Sequence, residues 1–564
     1  MTPRSRLPIG QSDFRRIRQD GKFYVDKTGL IVDVINDPAL VLLLPRPRRF
    51  GKTTNLSTLR YFFEKHPEDR TALFADLAVW RSEAARAHFQ RHPVIYLSFK
   101  DINTDSFAAC LAGLAALLAR VYGEHRDLLD AGRLAPEEAA SFRAILERSA
   151  EQTQIEQALH DLSRYLREHH GERVVVLLDE YDTPLHAAFV RGYFDQAITL
   201  FRRVLSGVLK DNEHLHKGVL TGILRVARES VFSDLNHLVV YSLLRPQFAP
   251  YFGFTPDEVA TLAARAEFPG TLDDLRDWYD GYRFGDAVIY NPWSVLSALA
   301  AGTCQPYCSN ELIRRLLLRA TADQHRALTA LAAGGTIRRE IAENTDLRAI
   351  DHDPDAVWSF LLFSGYLRAS DVRLTDGVTT AELGIPNLEL RSMFSQLFAG
   401  WLRIALHGEQ QVEALTRALL RGDAAECERH LTRLLVDSAS PLDTADHGRM
   451  PPEQLYHVFI LGLLLTMQPR HLVRSNRESG LGRSDVLIIP REPGQPGVVL
   501  ELKVRRSGQT LAQAATDGLQ QIARQDYAAE LRAHGAAPIH ELAVAFDGKQ
   551  VRVKARPAAT RRRR

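Results

Sequence analysis

The segment at residues 46–53, RPRRFGKT, has residue types and a spacing suited to phosphate binding. It follows an apolar run and precedes a helical pattern, so backbone N–H groups at the start of the helix can cradle phosphates. Lys52 can reach the terminal phosphates, and the Thr53 hydroxyl can bind Mg²⁺. In the common form of such a loop, a glycine stands five residues before Gly51, and here Arg46 takes that place. The pattern predicts a phosphate-binding loop with an altered first position.

A second apolar run, VVVLLDE, ends in the two carboxylates Asp179 and Glu180. In phosphoryl transfer, one acid holds Mg²⁺ and a further group orients or deprotonates the attacking water. An apolar strand that ends in two acids is common by itself, but together with the upstream Gly51-Lys52-Thr53 it predicts a nucleoside triphosphate site. We expect Asp179 to bind Mg²⁺ and Glu180 to act on the water.

A third apolar run, at residues 218–223, ends in Thr221 and Gly222 and is followed by Arg225 and Arg228. A nucleoside triphosphatase can place a polar sensor and an arginine here, where they detect the γ-phosphate. Surface charge after a strand is the alternative for each arginine. Both interpretations stay open for Arg225 and Arg228.

A separate group of acidic and basic residues lies near the C-terminus. Asp485 stands in SDVLII, a Pro- and Gly-rich turn follows, and Glu501 and Lys503 stand in VVLELKV. Period-two alternation puts Glu501 and Lys503 on one face of a strand, and a hairpin partner can bring Asp485 beside them. Two carboxylates can bind a divalent metal that activates water, while the Lys503 ammonium positions or deprotonates the nucleophile. Solvated acids on a sheet edge are the alternative.

The first half of the chain must supply the elements that position the phosphate-binding residues. It alternates short apolar runs with amphipathic stretches, which is typical of an α/β fold. Because fully buried strands read as continuous apolar runs, the pattern predicts a parallel sheet. The predicted strands are 40–44, 94–98, 174–178, 218–223 and 238–242, and the clearest predicted helices are 53–65 and 107–122.

The rest of the chain is predicted to change character twice. Residues 251–439 are mostly helical in pattern, apart from an aromatic and Gly-rich segment at 278–296 that we expect to form a packed turn or hairpin. A Pro- and Asp-rich linker at 437–452 follows. The C-terminal α/β unit is predicted to contain a helix at 452–467, strands at 484–489 and 498–504, a helix at 511–531, and strands at 539–546 and 551–553.

Length and charge limit these expectations. With 564 residues, the chain is long enough for about two to four packed domains. Lys and Arg number 71 and Asp and Glu 69, so the net charge of +2 gives no overall field and any nucleic-acid contact must be local. The four cysteines are too few and scattered for a disulfide framework, and no long apolar run or signal-peptide core is evident. We expect a cytoplasmic protein with no membrane segment, with ordinary thiols rather than a metal site at Cys304 and Cys308, and with no zinc-hydrolase site.

Residues 7–245 resemble the AAA-ATPase-like family of bacteria and archaea. The motifs are LPIGQSDF at 7–14, FYVDKT at 23–28, RPRRFGKT at 46–53, LLDEYD at 177–182 and GILRVARES at 222–230. The family has arginine where this chain has Arg46, and the resemblance implies a P-loop NTPase fold with ATP and Mg²⁺ as cofactors. The candidate nucleotide-binding residues are Arg46, Arg49, Gly51, Lys52, Thr53, Thr54, Asp179, Arg225 and Arg228, with Thr53 and Asp179 as Mg²⁺ ligands and Glu180 as the catalytic residue.

The C-terminal motifs resemble the PD-(D/E)XK nucleases, whose domain usually follows the ATPase family named above. The segments SNRESGLGRSDVLII and VVLELKV carry the resemblance. In these nucleases the following helix presents a glutamine and a tyrosine, which correspond to Gln521 and Tyr527. Glu453 matches the family's first acidic position, with Glu478 as the competing candidate. The candidate catalytic residues are Asp485, Glu501, Lys503 and Gln521, and the candidate metal ligands are Asp485, Glu501 and Glu453.

The expected fold class is therefore α/β. We expect a P-loop domain with a parallel sheet at 1–250, a helical connecting region at 251–440, a restriction-endonuclease-like α/β domain at 441–556 and a basic tail at 557–564. The seven basic residues from Arg552 onward could neutralise a nucleic-acid backbone or simply keep this end of the chain solvated.

These parts together predict an enzyme that binds and hydrolyses ATP and cuts nucleic acid with Mg²⁺, with DNA preferred over RNA as the partner. The alternative is a nucleotide-dependent signalling or assembly switch whose nuclease-like domain only binds nucleic acid, for example in anti-phage defence. That role rests on the pairing of domains alone. A homo-oligomer stays open.

Overall fold

The computed structural model describes residues 3–223, 238–308, 321–332, 334–343, 353, 355–394, 397, 409–437, 460, 463–464, 467, 471–479 and 482–557. The candidate residues Arg225, Arg228 and Glu453, and the arginines at 561–564, lie outside these ranges. Asp485 and Glu478 lie in described strands, but their side chains are not among the described ones.

The chain divides into two compact units. The first consists of Met1–Tyr307 with Arg338–Asn387, and the second consists of Cys308–Ile337 with Leu388–Arg564. Each unit draws on the middle of the chain, because residues 338–387 belong to the first and residues 388–437 to the second. The predicted domain boundaries at 250, 440 and 556 stay a prediction.

Five parallel strands form the central sheet of the first unit. They are β1 (Val41–Pro45), β2 (Val94–Ser98), β3 (Val174–Asp179), β4 (Leu215–Gly222) and β5 (Leu238–Val240). Their order is β2-β3-β4-β1-β5, and every neighbouring pair is parallel. β1 and β3 are buried along their whole length, as their continuous apolar sequences require. The predicted strands and their parallel arrangement are confirmed.

Helices connect and cover these strands, and the predicted helices at 53–65 and 107–122 are confirmed as α3 and α6. The helices are α1 (Phe14–Gln19), α2 (Gly29–Asn36), α3 (Lys52–Phe63), α4 (Thr71–Phe74), α5 (Glu83–Arg86), α6 (Phe107–Glu124), α7 (Asp127–Asp130), α8 (Pro136–Leu146), α9 (Gln152–His170), α10 (Thr183–Arg191) and α11 (Phe194–Leu209). Because parallel strands end at the same edge of a sheet, the carboxyl ends of β1, β3 and β4 lie together.

Helix α6 departs from the expectation that no segment resembles a membrane span. Among the described residues, its 18 positions form the one helix long and apolar enough to cross a bilayer by length and composition. The sequence analysis looked for unbroken apolar runs, whereas the alanines of this helix keep its average apolar between isolated polar residues. In the structure α6 packs against β2, α8 and α9, and Cys110, Leu114 and Leu118 are fully buried. One face of α6 is buried in the first unit, and 39% of its residues are buried.

The middle of the chain contains the predicted helices together with two small sheets. The helices are α12 (Pro256–Arg265), α13 (Leu272–Tyr279), α14 (Pro292–Ala301), α15 (Ala322–Ala332), α16 (Ala356–Phe363), α17 (Glu409–Arg421) and α18 (Ala424–Asp437). The predicted hairpin at 278–296 is confirmed as β6 (Tyr282–Phe284) and β7 (Ala287–Ile289). The second sheet contains β8 (Thr336–Glu340), β9 (Arg368–Thr375) and β10 (Val378–Gly384). It was not predicted, because most residues of β9 and β8 are polar or exposed.

The second unit contains a mixed five-stranded sheet. Its strands are β11 (His471–Ser479), β12 (Gly482–Pro490), β13 (Gly497–Val504), β14 (Ile539–Asp547) and β15 (Gln550–Pro557), in chain order across the sheet. Only β13 and β14 pair in parallel, and the other neighbours are antiparallel. The helices after β13 are α19 (Leu511–Gln525) and α20 (Ala529–Ala533). The mixed α/β fold predicted for this part is confirmed.

Alternate residues of β12 enter two different cores. Val486 and Ile488 pack with residues of α17 and α18, whereas Leu487 and Ile489 pack with Ile522 of α19. The sheet is therefore covered on both faces, and the period-two alternation used to place Glu501 and Lys503 holds in this sheet.

Two details of the second unit correct the sequence analysis. The single helix predicted at 511–531 is wrong, because α19 ends at Asp526, whose left-handed backbone (φ 50°) breaks the helix before α20. Strand β11 was not predicted, since its sequence HLVRSNRES is largely polar and its pairing with β12 supplies the order. The helix predicted at 452–467 lies mostly outside the described residues.

Candidate functional site

The loop between β1 and α3 follows the predicted strand–loop–helix pattern. Gly51 caps the first turn of α3 with a left-handed backbone (φ 82°), and Arg49 is also left-handed (φ 70°). Glycine adopts this conformation without penalty, whereas a non-glycine residue there stores strain of about 1–3 kcal/mol. The free backbone N–H groups of the first turn make this helix end suited to an anion.

Lys52 is held inside the loop. Its ammonium donates to the carbonyl oxygens of Arg46 at 2.9 Å and Pro47 at 2.8 Å, and its side chain is buried. Burial lowers the pKa of Lys52, while the neighbouring carboxylates, of which Glu180 acts most strongly, oppose that shift. The Lys52 side chain thus extends from the start of α3 across the loop, and its ammonium lies near the acidic residues that follow β3.

Arg46 occupies the position of the missing glycine as a fully buried side chain. Its guanidinium donates to the carbonyl oxygens of Pro45 at 2.8 Å and Tyr241 at 2.6 Å, and it lies over the rings of Phe252 and Phe284. Burial lowers its pKa to about 9. In this arrangement Arg46 braces the base of the loop through carbonyl and cation–π contacts. Its expected contact with phosphate stays a prediction.

The other two arginines of the loop differ in their surroundings. Arg49 donates to the Tyr307 carbonyl at 2.9 Å and lies over the Trp293 ring. Arg48 is exposed, as Arg49 is, and its charge is a minor cause that adds to the lowering of the Lys52 pKa by burial and opposes the raising of the Glu180 pKa by burial. From the sequence, Arg48 and Arg49 could either neutralise phosphate charge or form external salt bridges, and both interpretations stay open for Arg48.

Asp179 is the last residue of β3, and its side chain contacts residues of α3 and β4. Its carboxylate accepts hydrogen bonds from the Thr53 hydroxyl and the Thr221 hydroxyl, both at 2.7 Å, and it is 1% exposed. A carboxylate and a hydroxyl in contact are the oxygen donors that Mg²⁺ prefers. The pair Thr53 and Asp179 therefore fits the predicted Mg²⁺ position. Thr54 and Gly51 both line an apolar pocket.

Glu180 follows Asp179 with a left-handed backbone (φ 51°), an uncommon conformation that re-aims the chain after β3. Burial raises the pKa of Glu180, and Lys52 opposes the shift. A carboxylate with a raised pKa can take up a proton nearer neutral pH. The geometry thus leaves Glu180 suited to proton transfer beside Lys52.

Asp182, a third acid after β3, fixes the end of β4. Its carboxylate accepts from the backbone N–H of Ile223 at 2.8 Å. A Cβ at Gly222 would lie 2.7 Å from the Asp182 carboxylate, so the close approach requires glycine there. The sequence analysis gave no role to Asp182, although the motif LLDEYD contains it.

The second group of predicted residues meets on one face of the C-terminal sheet. The Lys503 ammonium donates to the Glu501 carboxylate at 2.9 Å and to the Gln521 side-chain oxygen at 2.8 Å. The Gln521 amide in turn donates to the Tyr527 hydroxyl at 3.2 Å. Glu501 is 1% exposed, and its ion pair with this lysine compensates its buried charge. The structure brings together the predicted Glu501, Lys503 and Gln521.

A glycine lets α19 approach the strands that carry this group. A Cβ at Gly518 would lie 2.8 Å from the Ala543 Cβ and 3.6 Å from Glu501 Cγ. Any larger residue would separate α19 from β13 and β14. Gly518 therefore sets the distance over which Gln521 reaches Lys503.

The backbone position of Asp485 agrees with the expected hairpin. Val486 pairs with Leu500, so Asp485 and Glu501 each stand next to this pair on adjacent antiparallel strands. The role of Asp485 as a metal ligand stays a prediction, as does that of Glu453. Glu478 lies in β11, where Arg483 is its partner across the strands.

Comparisons with known proteins match the two parts of the chain that carry these groups of residues. Residues 8–232 match a family model described as Predicted AAA-ATPase, and residues 451–556 match one described as PD-(D/E)XK nuclease superfamily. A protein of Azotobacter chroococcum mcd 1, described as an uncharacterized protein in vnfD 5'region, is 28% identical over 397 residues. That alignment covers 70% of this chain and 70% of the relative.

Proposed function

We propose that this chain, which joins a predicted AAA-ATPase domain to a domain of the PD-(D/E)XK nuclease superfamily, hydrolyses ATP and cuts nucleic acid in a Mg²⁺-dependent reaction. The observation that carries the proposal is the meeting of Lys52, Thr53 and Asp179 at the carboxyl edge of the parallel sheet. The hydrogen bonds from Lys503 to Glu501 and Gln521 support the second activity.

In the first domain, Thr53 and Asp179 would hold Mg²⁺, and bound Mg²⁺ would neutralise charge on the β- and γ-phosphates. Lys52 would exchange the carbonyl oxygens of Arg46 and Pro47 for phosphate oxygens, which compensate its charge better. Glu180 would orient the attacking water and accept its proton, a role that its raised pKa favours. Thr221 keeps Asp179 in place from the neighbouring strand.

In the second domain, Glu501 would hold Mg²⁺ together with Asp485 and Glu453, and bound Mg²⁺ would stabilise charge on the scissile phosphate. Lys503 would position the attacking water or take its proton. Gln521 fixes the Lys503 ammonium from α19 and would keep it in place during the reaction. DNA is the preferred substrate in this proposal, with RNA as the competing one, and the place of action is the cytoplasm.

A nucleotide-dependent switch that only binds nucleic acid is the second candidate function. The contact of Glu501, Lys503 and Gln521 favours cleavage over simple binding, because a buried carboxylate beside a lysine is not needed to hold a phosphate backbone. Assembly of several copies is compatible with either function.

One experiment tests both halves. Purified full-length protein is incubated with linear, circular and single-stranded DNA and with RNA, with and without ATP and Mg²⁺, and phosphate release and cleavage are measured. We expect Lys52→Ala to lower ATP hydrolysis by about 100-fold or more, and Lys503→Ala to lower cleavage by a similar factor. The exposed lysines Lys65 and Lys549 provide matched alanine controls.

The outcomes separate the candidates. Hydrolysis that survives Lys52→Ala contradicts the ATPase proposal, and cleavage that survives Lys503→Ala contradicts the nuclease proposal. Tightly bound nucleotide with no cleavage of any substrate in Mg²⁺ or Mn²⁺ would favour the switch.

A further inference from the structure

Three histidines meet at the amino edge of the parallel sheet, opposite the edge that holds the phosphate loop. His88 follows α5, His92 precedes β2, and His216 is the second residue of β4. One ring nitrogen from each residue lies within 4.8 Å of the others. His88 Nδ1 and His92 Nε2 are 3.0 Å apart, and the His92 and His216 rings stack with centroids 4.1 Å apart. We call these residues the histidine cluster.

An irregularity of the sheet puts His216 into this cluster. Val174 pairs with Leu215 and Val175 pairs with Lys217, so His216 is an extra residue in β4 between two consecutive pairs. Such a β-bulge changes the direction of a side chain and interrupts the regular ladder. The bulge therefore takes His216 out of the regular pairing of β3 with β4.

His92 is oriented as a metal ligand would be. Its Nδ1 lies 3.0 Å from the Arg173 carbonyl oxygen, to which it can donate, and this leaves the Nε2 lone pair directed to His88. Metal-binding histidines commonly donate their second nitrogen to a carbonyl or carboxylate in this way. His92 is also 3% exposed, so its ring has little freedom to move.

Helix α3 links the cluster to the other edge of the sheet. The His92 backbone N–H donates to the Phe63 carbonyl at the last residue of α3, at 2.9 Å. The carboxyl end of a helix carries partial negative charge and favours a cation.

The charged groups near the histidine cluster have partners of their own. Arg91 pairs with Glu172 at 2.9 Å, and Lys217 donates to the carbonyls of Asp37 and Ala39. Burial lowers the pKa of all three imidazoles, which favours the neutral rings that bind metals.

We propose that His88, His92 and His216 form a structural binding site for a divalent transition metal, and that Zn²⁺ is the ion that fits. Two nitrogens on a tetrahedral Zn²⁺ stand about 3.3 Å apart, close to the distance between His88 and His92. The third nitrogen lies within 4.8 Å of the other two, so metal binding would turn the stacked His216 ring towards them. Imidazole nitrogens suit Zn²⁺ and its neighbours, whereas Mg²⁺ requires oxygen donors. The site therefore differs in chemistry from both proposed Mg²⁺ sites.

The effect of the metal would be to join β4 to the segment before β2. These residues are more than 120 positions apart along the chain, so the cross-link would stabilise the amino edge of the sheet against unfolding. The HxxxH spacing of HFQRH at 88–92 is a sequence signal for a metal site that was overlooked. The expectations from the sequence excluded a metal at Cys304 and Cys308 and a zinc hydrolase, and a structural histidine site was not among them.

The test uses untagged full-length protein that is stripped with a chelator and titrated with Zn²⁺ or Co²⁺ in excess Mg²⁺. We expect one tightly bound ion more per wild-type chain than per chain of His92→Gln or His216→Gln, with Zn²⁺ affinity at this site lowered at least about 100-fold. Co²⁺ should give the absorption of a four-coordinate nitrogen site in the wild type only, and Zn²⁺ should raise the melting temperature of the wild type only. His66→Gln, at a partly exposed histidine of the same unit, is the control.

Two results overturn the proposal. One is equal Zn²⁺ stoichiometry and affinity in the wild type and the cluster variants, and the other is no retained Zn²⁺ in the wild type at micromolar concentration. If His92→Gln or His216→Gln does not fold, His88→Gln replaces it, because His88 lies in a turn and is partly exposed. ATP hydrolysis is followed in parallel, so a failure of the proposed function is distinguishable from a failure of this site.

Discussion

The phosphate loop region and the C-terminal acidic site are built in different ways. Lys52, Asp179 and Thr221 come from separate strands and loops that lie up to 169 positions apart, and the parallel sheet brings their ends together. Glu501, Lys503 and Gln521 come from one strand and the helix after it. The first site depends on the topology of a whole sheet, whereas the second depends on local alternation and one helix contact.

This difference has a consequence for how each site responds to change. In the first site, hydroxyls from two different elements donate to Asp179, so its carboxylate is held in position from two sides. In the second site, Lys503 reaches α19 through Gln521, so displacement of that helix changes the site directly. We expect substitutions in the first site to change activity mainly by removing a reacting group. Substitutions in the second site should change activity both by removing a reacting group and by disturbing the packing of α19.

The largest expected effect separates binding from chemistry in the first site. We predict that Glu180→Gln lowers ATP hydrolysis by about 100- to 1000-fold with nearly unchanged ATP affinity, because the amide cannot accept the proton from water. Phosphate release and ATP binding are measured together. Glu168→Gln, at an exposed glutamate, is the control. Loss of ATP affinity in Glu180→Gln would assign Glu180 to binding instead.

The next effect tests whether the two sites act separately. Gln521→Ala should lower cleavage by about 10- to 100-fold, since Lys503 loses the partner that fixes its ammonium. ATP hydrolysis should not change. The control is Gln520→Ala, at the exposed neighbour. A fall in ATP hydrolysis would reveal that the two activities are coupled, and cleavage unaffected by Gln521→Ala would remove this residue from the site.

A packing change should distinguish the second site from the first. Gly518→Val should lower the free energy of unfolding by about 1–3 kcal/mol and abolish most cleavage, because its side chain overlaps Ala543 and pushes α19 from the sheet. Denaturant unfolding and cleavage are measured. Ala512→Val, at an exposed position of the same helix, should cost about 0.5 kcal/mol or less. Equal effects of the two variants would contradict the role given to Gly518.

The smallest effect concerns acid stability in the first unit. Burial, with help from His169 and Lys65, lowers the pKa of His170 to about 4, below the value of about 6.5 in an unfolded chain. Between these values the unfolded chain binds more protons, so stability should fall as the pH drops from about 6.5 to 4. His170→Asn should make the melting temperature less dependent on pH in this range. An unchanged pH dependence in His170→Asn would rule out this contribution.

The sequence predicted the parallel sheet well because its strands are continuous apolar runs with clear turns between them. It missed β11 and the sheet of β8, β9 and β10, since polar strands owe their order to pairing with a neighbour. It also joined α19 and α20, because the break at Asp526 depends on a single backbone angle. In the candidate sites, Glu501 and Lys503 were predicted from alternation and Thr221 from its place at a strand end, whereas the contact of Thr221 with Asp179 appears only in the folded sheet.

The amino-acid sequence was enough to predict two phosphate-related sites and the order of the strands and helices that carry them. Motif spacing is local, and local spacing is preserved in any fold that places a strand before a helix. The tertiary structure alone decided that Arg46 turns its guanidinium to backbone carbonyls, that Thr221 supports Asp179, and that a bulge brings His216 to His88 and His92. Those contacts join residues far apart in the chain, and only the packing of a complete sheet fixes such distances.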